Sequence, residues 1–106
     1  MSTNPLSKRL KEARIAKDLS QRKLGQLLGF GTTASSRMNQ YEQGIRVPDF
    51  ETLEKLAKEL DVPVAYFFCT SDKLAELVKI FGNLAESDQE KLLELIRSGQ
   101  NKPEAD

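Results

Sequence analysis

The sequence predicts an all-α fold: a five-helix domain over residues 1–69, a two-helix hairpin over 70–98 and a polar tail over 99–106. Three observations carry this expectation. Apolar residues recur at helical spacing, as at Leu53, Leu56, Ala57 and Leu60. Capping residues stand just ahead of these runs, at Ser20, Asp49 and Ser71. A chain of 106 residues also has a small core, which helices on short loops can close.

After a loose start at Met1–Thr3, Asn4-Pro5 reads as an N-cap followed by proline at the first helical position. The helix it opens runs to about Lys17, with Leu6, Leu10, Ala13 and Ala16 inward and Lys8, Arg9, Lys11 and Lys17 outside. Leu19 plugs the connection to the second helix, which Ser20 caps and whose apolar face is Leu24, Leu27 and Leu28. Gly29 and Gly31 permit the positive φ of a C-cap and sharp turn. In the third helix Ala34, Met38 and Tyr41 share a face. In the loop after Gly44, Ile45 and Val47 are expected to tuck inward while Arg46 points out. Asp49 caps a fourth helix, Phe50 to Leu60, with Phe50, Leu53, Leu56, Ala57 and Leu60 as its buried face. A short fifth helix opens at Val62-Pro63-Val64 and ends at Phe68, and Val64, Phe67 and Phe68 close the bundle.

Ser71-Asp72 begins a helix carrying Leu74, Leu77, Val78 and Phe81, which Gly82-Asn83 ends. Ser87-Asp88-Gln89-Glu90 has the capping-box pattern and opens a last helix to about Arg97, carrying Leu92, Leu93, Leu95 and Ile96. Four apolar positions on each helix exceed what a hairpin of this size needs for itself. The hairpin therefore packs back on its own domain or onto the same hairpin of a second chain.

The net charge of zero hides a division. Residues 1–48 carry nine Lys/Arg and three acids, a net of +6, and residues 49–106 carry seven Lys/Arg and thirteen acids, a net of −6. A basic half favours a phosphate backbone, and an acidic half turns away from it. The chain has no histidine and a single cysteine, Cys69, beside Phe67 and Phe68, which reads as a small buried apolar side chain. Neither an internal disulfide nor a zinc site can be built from one thiol, and no metal or cofactor is expected. With no phosphate loop, no HExxH and no paired carboxylates, an enzyme is not expected either. No apolar run is long enough to span a membrane or to serve as a signal peptide, which predicts a cytoplasmic protein.

The most informative stretch is the outer face of the third helix. Ser35, Ser36, Arg37, Asn39, Gln40 and Gln43 face away from its apolar side, with no carboxylate until Glu42. Amides and hydroxyls suit the base edges of a major groove, whereas a merely solvated helix more often carries Glu and Lys pairs.

Together with Gln40-Tyr41-Glu42-Gln43-Gly44, Pro48 and the Leu53/Leu56-Ala57/Leu60 run, this pattern resembles the helix-turn-helix of phage repressor-like (Cro/C1-type, Xre) regulators, over roughly Leu6 to Phe68. The turn Phe30-Gly31-Thr32-Thr33 is longer than the family's usual one. The resemblance implies a λ-repressor-like domain that binds double-stranded DNA in a sequence-specific way, most simply as a repressor. It implies base contacts from Ser36, Arg37, Gln40 and Asn39. Backbone contacts fall to Gln21, Arg22, Lys23, Thr33, Ser35, Gln43 and Arg46, and Thr32 joins the lengthened turn. An ion pair between Arg14 and Glu42 would lock the first helix to the third. Repressors of this kind work as two-fold dimers, which favours a homodimer through Leu74, Leu77, Val78, Phe81, Leu92, Leu95 and Ile96. The other reading is a protein-interaction module, such as an antitoxin, whose acidic hairpin binds a different protein partner.

Overall fold

A computed structural model describes residues 4–100; the expectations for Met1–Thr3 and for 101–106 lie outside the described residues. The chain runs through α1 (Leu6–Ala16), α2 (Gln21–Leu27), a 3-10 turn at Gly31–Thr33, α3 (Ala34–Glu42), α4 (Phe50–Leu60), a second 3-10 turn at Val64–Phe68, α5 (Asp72–Gly82) and α6 (Glu86–Gln100). The fold is all-helical, with no strand among the described residues. No helix in that range is long and apolar enough to cross a membrane.

Four of the six helices start beside a side chain that accepts a backbone N–H of the first turn. Asn4 accepts the Leu6 N–H at 2.9 Å ahead of Pro5. Ser20, Asp49 and Ser71 accept the N–H groups of Lys23, Thr52 and Leu74, each satisfying a donor that the first turn leaves orphaned. The core joins Leu6, Leu10 and Ala13 of α1 to Leu24, Met38 and Tyr41, to Leu53, Leu56, Ala57 and Leu60 of α4, and to Val62, Tyr66, Phe67 and Cys69. Ala75 of α5 belongs to the same core, so α5 is seated on the body of the molecule. α6 has no buried residue of its own.

Several residues lie elsewhere than the periodicity placed them. The expected fifth helix is a 3-10 turn, in which residues three apart eclipse. Phe67 therefore follows Val64 inward, Phe68 follows exposed Ala65 outward, and Tyr66 takes a core place. Ile45 and Val47 are exposed, because the Ile45 and Arg46 N–H groups both bond the Gln40 carbonyl and hold the loop outside the bundle; Pro48 is its buried member. Phe50, in the first turn of α4, overhangs the core and is 63% exposed. Leu27 is exposed at the end of the short α2, and Ala16 at the end of α1. Ser87 lies inside α6, which starts at Glu86 with the Ala85 carbonyl taking the Gln89 N–H. Gly99 and Gln100, expected in the tail, continue that helix.

The largest displacement is Arg9, expected in solvent and found 1% exposed. After the second 3-10 turn the chain crosses α1, and its carbonyls need donors there. Arg9 Nε donates to the Cys69 carbonyl at 2.8 Å and Nη2 to that of Thr70. Nη1 meets Glu12 at 2.8 Å and Asp72, the first residue of α5, at 2.9 Å. Burial disfavours the Arg9 charge, but the Asp72 and Glu12 carboxylates outweigh it and hold its pKa above the ordinary value. Asp72 is held below the usual carboxylate range, first by Lys8 and then by Arg9. A depressed carboxylate contributes stability above its unfolded pKa, near 3.8, and loses it as pH falls further through the folded value. Acid titration of α5 docking should accordingly show a component below that pH which Asp72→Asn lacks.

Candidate nucleic-acid interface

α2 and α3 cross at Gly25, which is buried against Ala34. A Cβ on Gly25 would stand 2.6 Å from Ala34 Cβ and 2.7 Å from its Cα and carbonyl oxygen. The angle between the two helices thus depends on a missing methyl group. Gly25→Val should destabilise the protein by about 1–3 kcal/mol through overpacking and tilt α3, lowering DNA affinity as well. Gly25→Ala should do less, because alanine regains up to about 1 kcal/mol of helix propensity. Urea unfolding alongside DNA titration measures both effects.

Between the helices, Gly29 and Gly31 take φ of 85° and 61°, the left-handed region their sequence positions suggested. The lengthened turn forms the 3-10 segment and is tied to its neighbours: Thr33 Oγ1 donates to the Phe30 carbonyl at 2.9 Å and Ser36 Oγ to the Thr33 carbonyl at 3.2 Å. Phe30 meets the Tyr41 ring edge-on at 6.3 Å, and the Arg37 guanidinium lies over its face, 4.4 Å from the centroid. Arg37 Nε is buried there without a hydrogen-bond partner. The terminal nitrogens are therefore the end that Arg37 can offer to a ligand.

Ala34, Met38 and Tyr41 are buried. At 100° per residue, Ser36 and Gln43 stand opposite that stripe, flanked by Asn39 and Gln40, with Ser35 at one edge and Arg37 at the other. Ser35, Ser36, Asn39 and Gln43 are exposed, and Gln40 and Arg37 are half-buried. Arg22, Gln26, Thr32 and Ser35 line one cleft between α2 and the turn.

Behind α3, Arg14 Nε lies 2.6 Å and Nη2 3.0 Å from the Glu42 carboxylate, whose side chain is 2% exposed. Arg14 Nη1 also donates to the Leu19 carbonyl at 2.8 Å, so one guanidinium joins α1, the α1–α2 connection and α3. Gln21, expected against phosphate, points its Nε2 at Glu42 Oε1 (3.1 Å) and Asn39 Oδ1 (3.3 Å). No signal in the sequence points to that bond to Asn39, nor to the Phe30–Arg37 stack, since each joins positions with no shared periodicity.

The basic half is less free than its charge suggests. Lys8, Arg9, Arg14 and Lys17 are engaged with Asp72, Glu12, Glu42 and Asp61. Lys11, Arg22, Lys23 and Arg46 are exposed and form no ion pair among the described residues. In that range no group of three or more acidic, cysteine or histidine side chains could hold a metal ion.

Comparison with known proteins adds to this geometry. Residues 10–67 match the helix-turn-helix family. The chain is 30% identical over 97 residues to the cryptic phage CTXphi transcriptional repressor RstR of Vibrio cholerae, covering 87% of this chain and 85% of that protein. It also superimposes on the crystal structure of the transcriptional regulator BswR with a TM-score of 0.80 and 42% identity, over 87% of this chain and 92% of the other.

Proposed function

This chain belongs to the Cro/C1-type helix-turn-helix family of transcriptional regulators, and we propose that it is a repressor that binds an inverted-repeat operator as a dimer. The observation that carries this reading is the outer face of α3, where Ser36, Asn39, Gln40 and Gln43 offer hydroxyls and amides and no carboxylate. α3 enters the major groove with this face. Gln40 and Asn39 read adenine-type edges, Ser36 reads by its hydroxyl, and Arg37 presents its terminal nitrogens to a guanine or a phosphate from its seat on Phe30. Arg22, Lys23, Thr33, Ser35 and Arg46 lie against the backbone, and Gln21 acts chiefly by orienting Asn39. The α5–α6 hairpin joins the two copies and keeps the acidic half of the chain away from phosphate.

Selection of bound sites from random duplex DNA tests this. The expected product is an inverted repeat with half-sites about one helical turn apart. Gln40→Ala should cost about 1–3 kcal/mol on that site and relax one base position in each half. Arg46→Ala should instead weaken specific and random DNA alike and lower the salt slope by about one. Unchanged site preference in Gln40→Ala would show that another face of α3 reads the bases.

A second reading, a module that binds a different protein through the hairpin, is favoured by the apolar residues α5 and α6 leave in solvent. It requires sequence-indifferent DNA binding and a tight heteromeric complex.

A further inference from the structure

Pro63, Leu77, Val78 and Phe81 face Leu92 and Ile96 across a groove between α5 and α6 whose lining presents no polar surface. Resting on the dimeric reading above, we propose that this groove receives α6 of a second copy, the two α6 helices running antiparallel across the two-fold axis.

α6 is 15 residues long and has no fully buried residue, Gln89, Leu92 and Leu93 being half-buried, and Leu95 is 70% exposed. Leu74, Leu77, Ile80 and Ile96 are exposed as well. An apolar face of this extent marks a partner site. The charges beside it select the partner. At 100° per residue, Glu86, Glu90 and Arg97 follow one edge of the apolar stripe of α6, and Asp88 and Lys91 follow the other. The ion pairs agree with that placement: Arg97 lies 3.2 Å from Glu90, and Lys91 4.0 Å from Asp88. Each edge thus carries both signs, separated along the helix.

A two-fold axis crossing such a helix sets it antiparallel to its copy and brings each edge against its own reverse. With the axis passing near Leu92 and Leu93, Glu86 and Glu90 of one copy then lie within a turn of Arg97 of the other. The first edge is self-complementary in that direction, whereas a parallel pairing would set it beside Asp88 and Lys91 and leave Arg97 without an acid across the seam. The six residues after Gln100, Asn-Lys-Pro-Glu-Ala-Asp, hold no large apolar side chain with which to fill the groove from the same chain.

The test uses full-length protein and two edge variants. Arg97→Glu makes the first edge wholly acidic, and the double variant Glu86→Lys, Glu90→Lys makes it wholly basic. Sedimentation equilibrium should give a wild-type dimer and, for each variant alone, a dissociation constant raised about tenfold or more, because symmetry repeats each repulsion. Mixed, the two variants should form a heterodimer close to wild-type affinity, seen by native mass spectrometry. Ile96→Glu should be monomeric with its helix content retained, since Ile96 is exposed in its own chain and Gln89, Leu92 and Leu93 are the side chains that seat α6. A wild-type dimer whose edge variants associate as before, with no preference for one another, overturns the antiparallel pairing and leaves the dimeric reading standing. A wild-type chain that stays monomeric at every concentration, with operator and without, overturns both.

Discussion

Glu42→Ala should destabilise the protein by about 3–5 kcal/mol, because it leaves the Arg14 charge enclosed without its carboxylate. The Glu42 side chain is 2% exposed and Arg14 13%, so water cannot take over the role of the lost partner. In a domain this small, such a loss lowers Tm by roughly 15 °C or more. Thermal or urea unfolding reads it directly. The double variant Arg14→Met, Glu42→Leu should recover most of the loss, since apolar replacement of a whole buried pair is often close to neutral. The same carboxylate accepts from Gln21, whose amide also holds Asn39. Glu42→Gln should therefore retain part of the stability and more of the DNA affinity than Glu42→Ala. A cost below about 1 kcal/mol for Glu42→Ala would mean that the pair behaves as a surface contact and does not lock α1 to α3.

Arg9→Ala should cost about 2–4 kcal/mol, from the unmet carbonyls of Cys69 and Thr70 together with the lost packing of a buried side chain. Its effect should be local before it is global. Amide exchange should accelerate first at Cys69 to Ala75, where the chain leaves α1 and enters α5, with α2 and α3 little changed. Arg9→Lys should restore little, because one ammonium cannot reach two carbonyls and two carboxylates at once. Uniform acceleration across the whole chain would show that Arg9 serves the core and not the joint.

The sequence made the helical architecture legible because caps and periodicity are local signals. Ser20, Asp49 and Ser71 announce their helices by chemistry that acts within one turn. The buried stripe of α3 followed from spacing alone. The errors fall where the outcome was decided between elements. Arg9 looks like any exposed helical arginine until the chain returns sixty residues later with carbonyls in need of donors. Phe68 was misplaced because a 3-10 turn and an α-helix divide the same five residues differently. Ile45, Val47 and Phe50 are apolar side chains on a loop and a first turn that the core does not reach. At the candidate site, residue type and face were readable from the sequence. The stacking of Arg37 on Phe30 was not, because only the folded turn brings those side chains together.

The clasp at Arg9 has a mechanical consequence. It fastens the root of α5 to α1 at three points, and α1 is in turn bolted to α3 through Arg14. Reading head and arm therefore turn as one stiff piece. In the proposed dimer, two such pieces joined by their arms would form a caliper with a fixed jaw width. The spacing of the proposed operator half-sites would then be set by the protein's own skeleton, and a stretch of DNA inserted between them would have to bend or twist to fit.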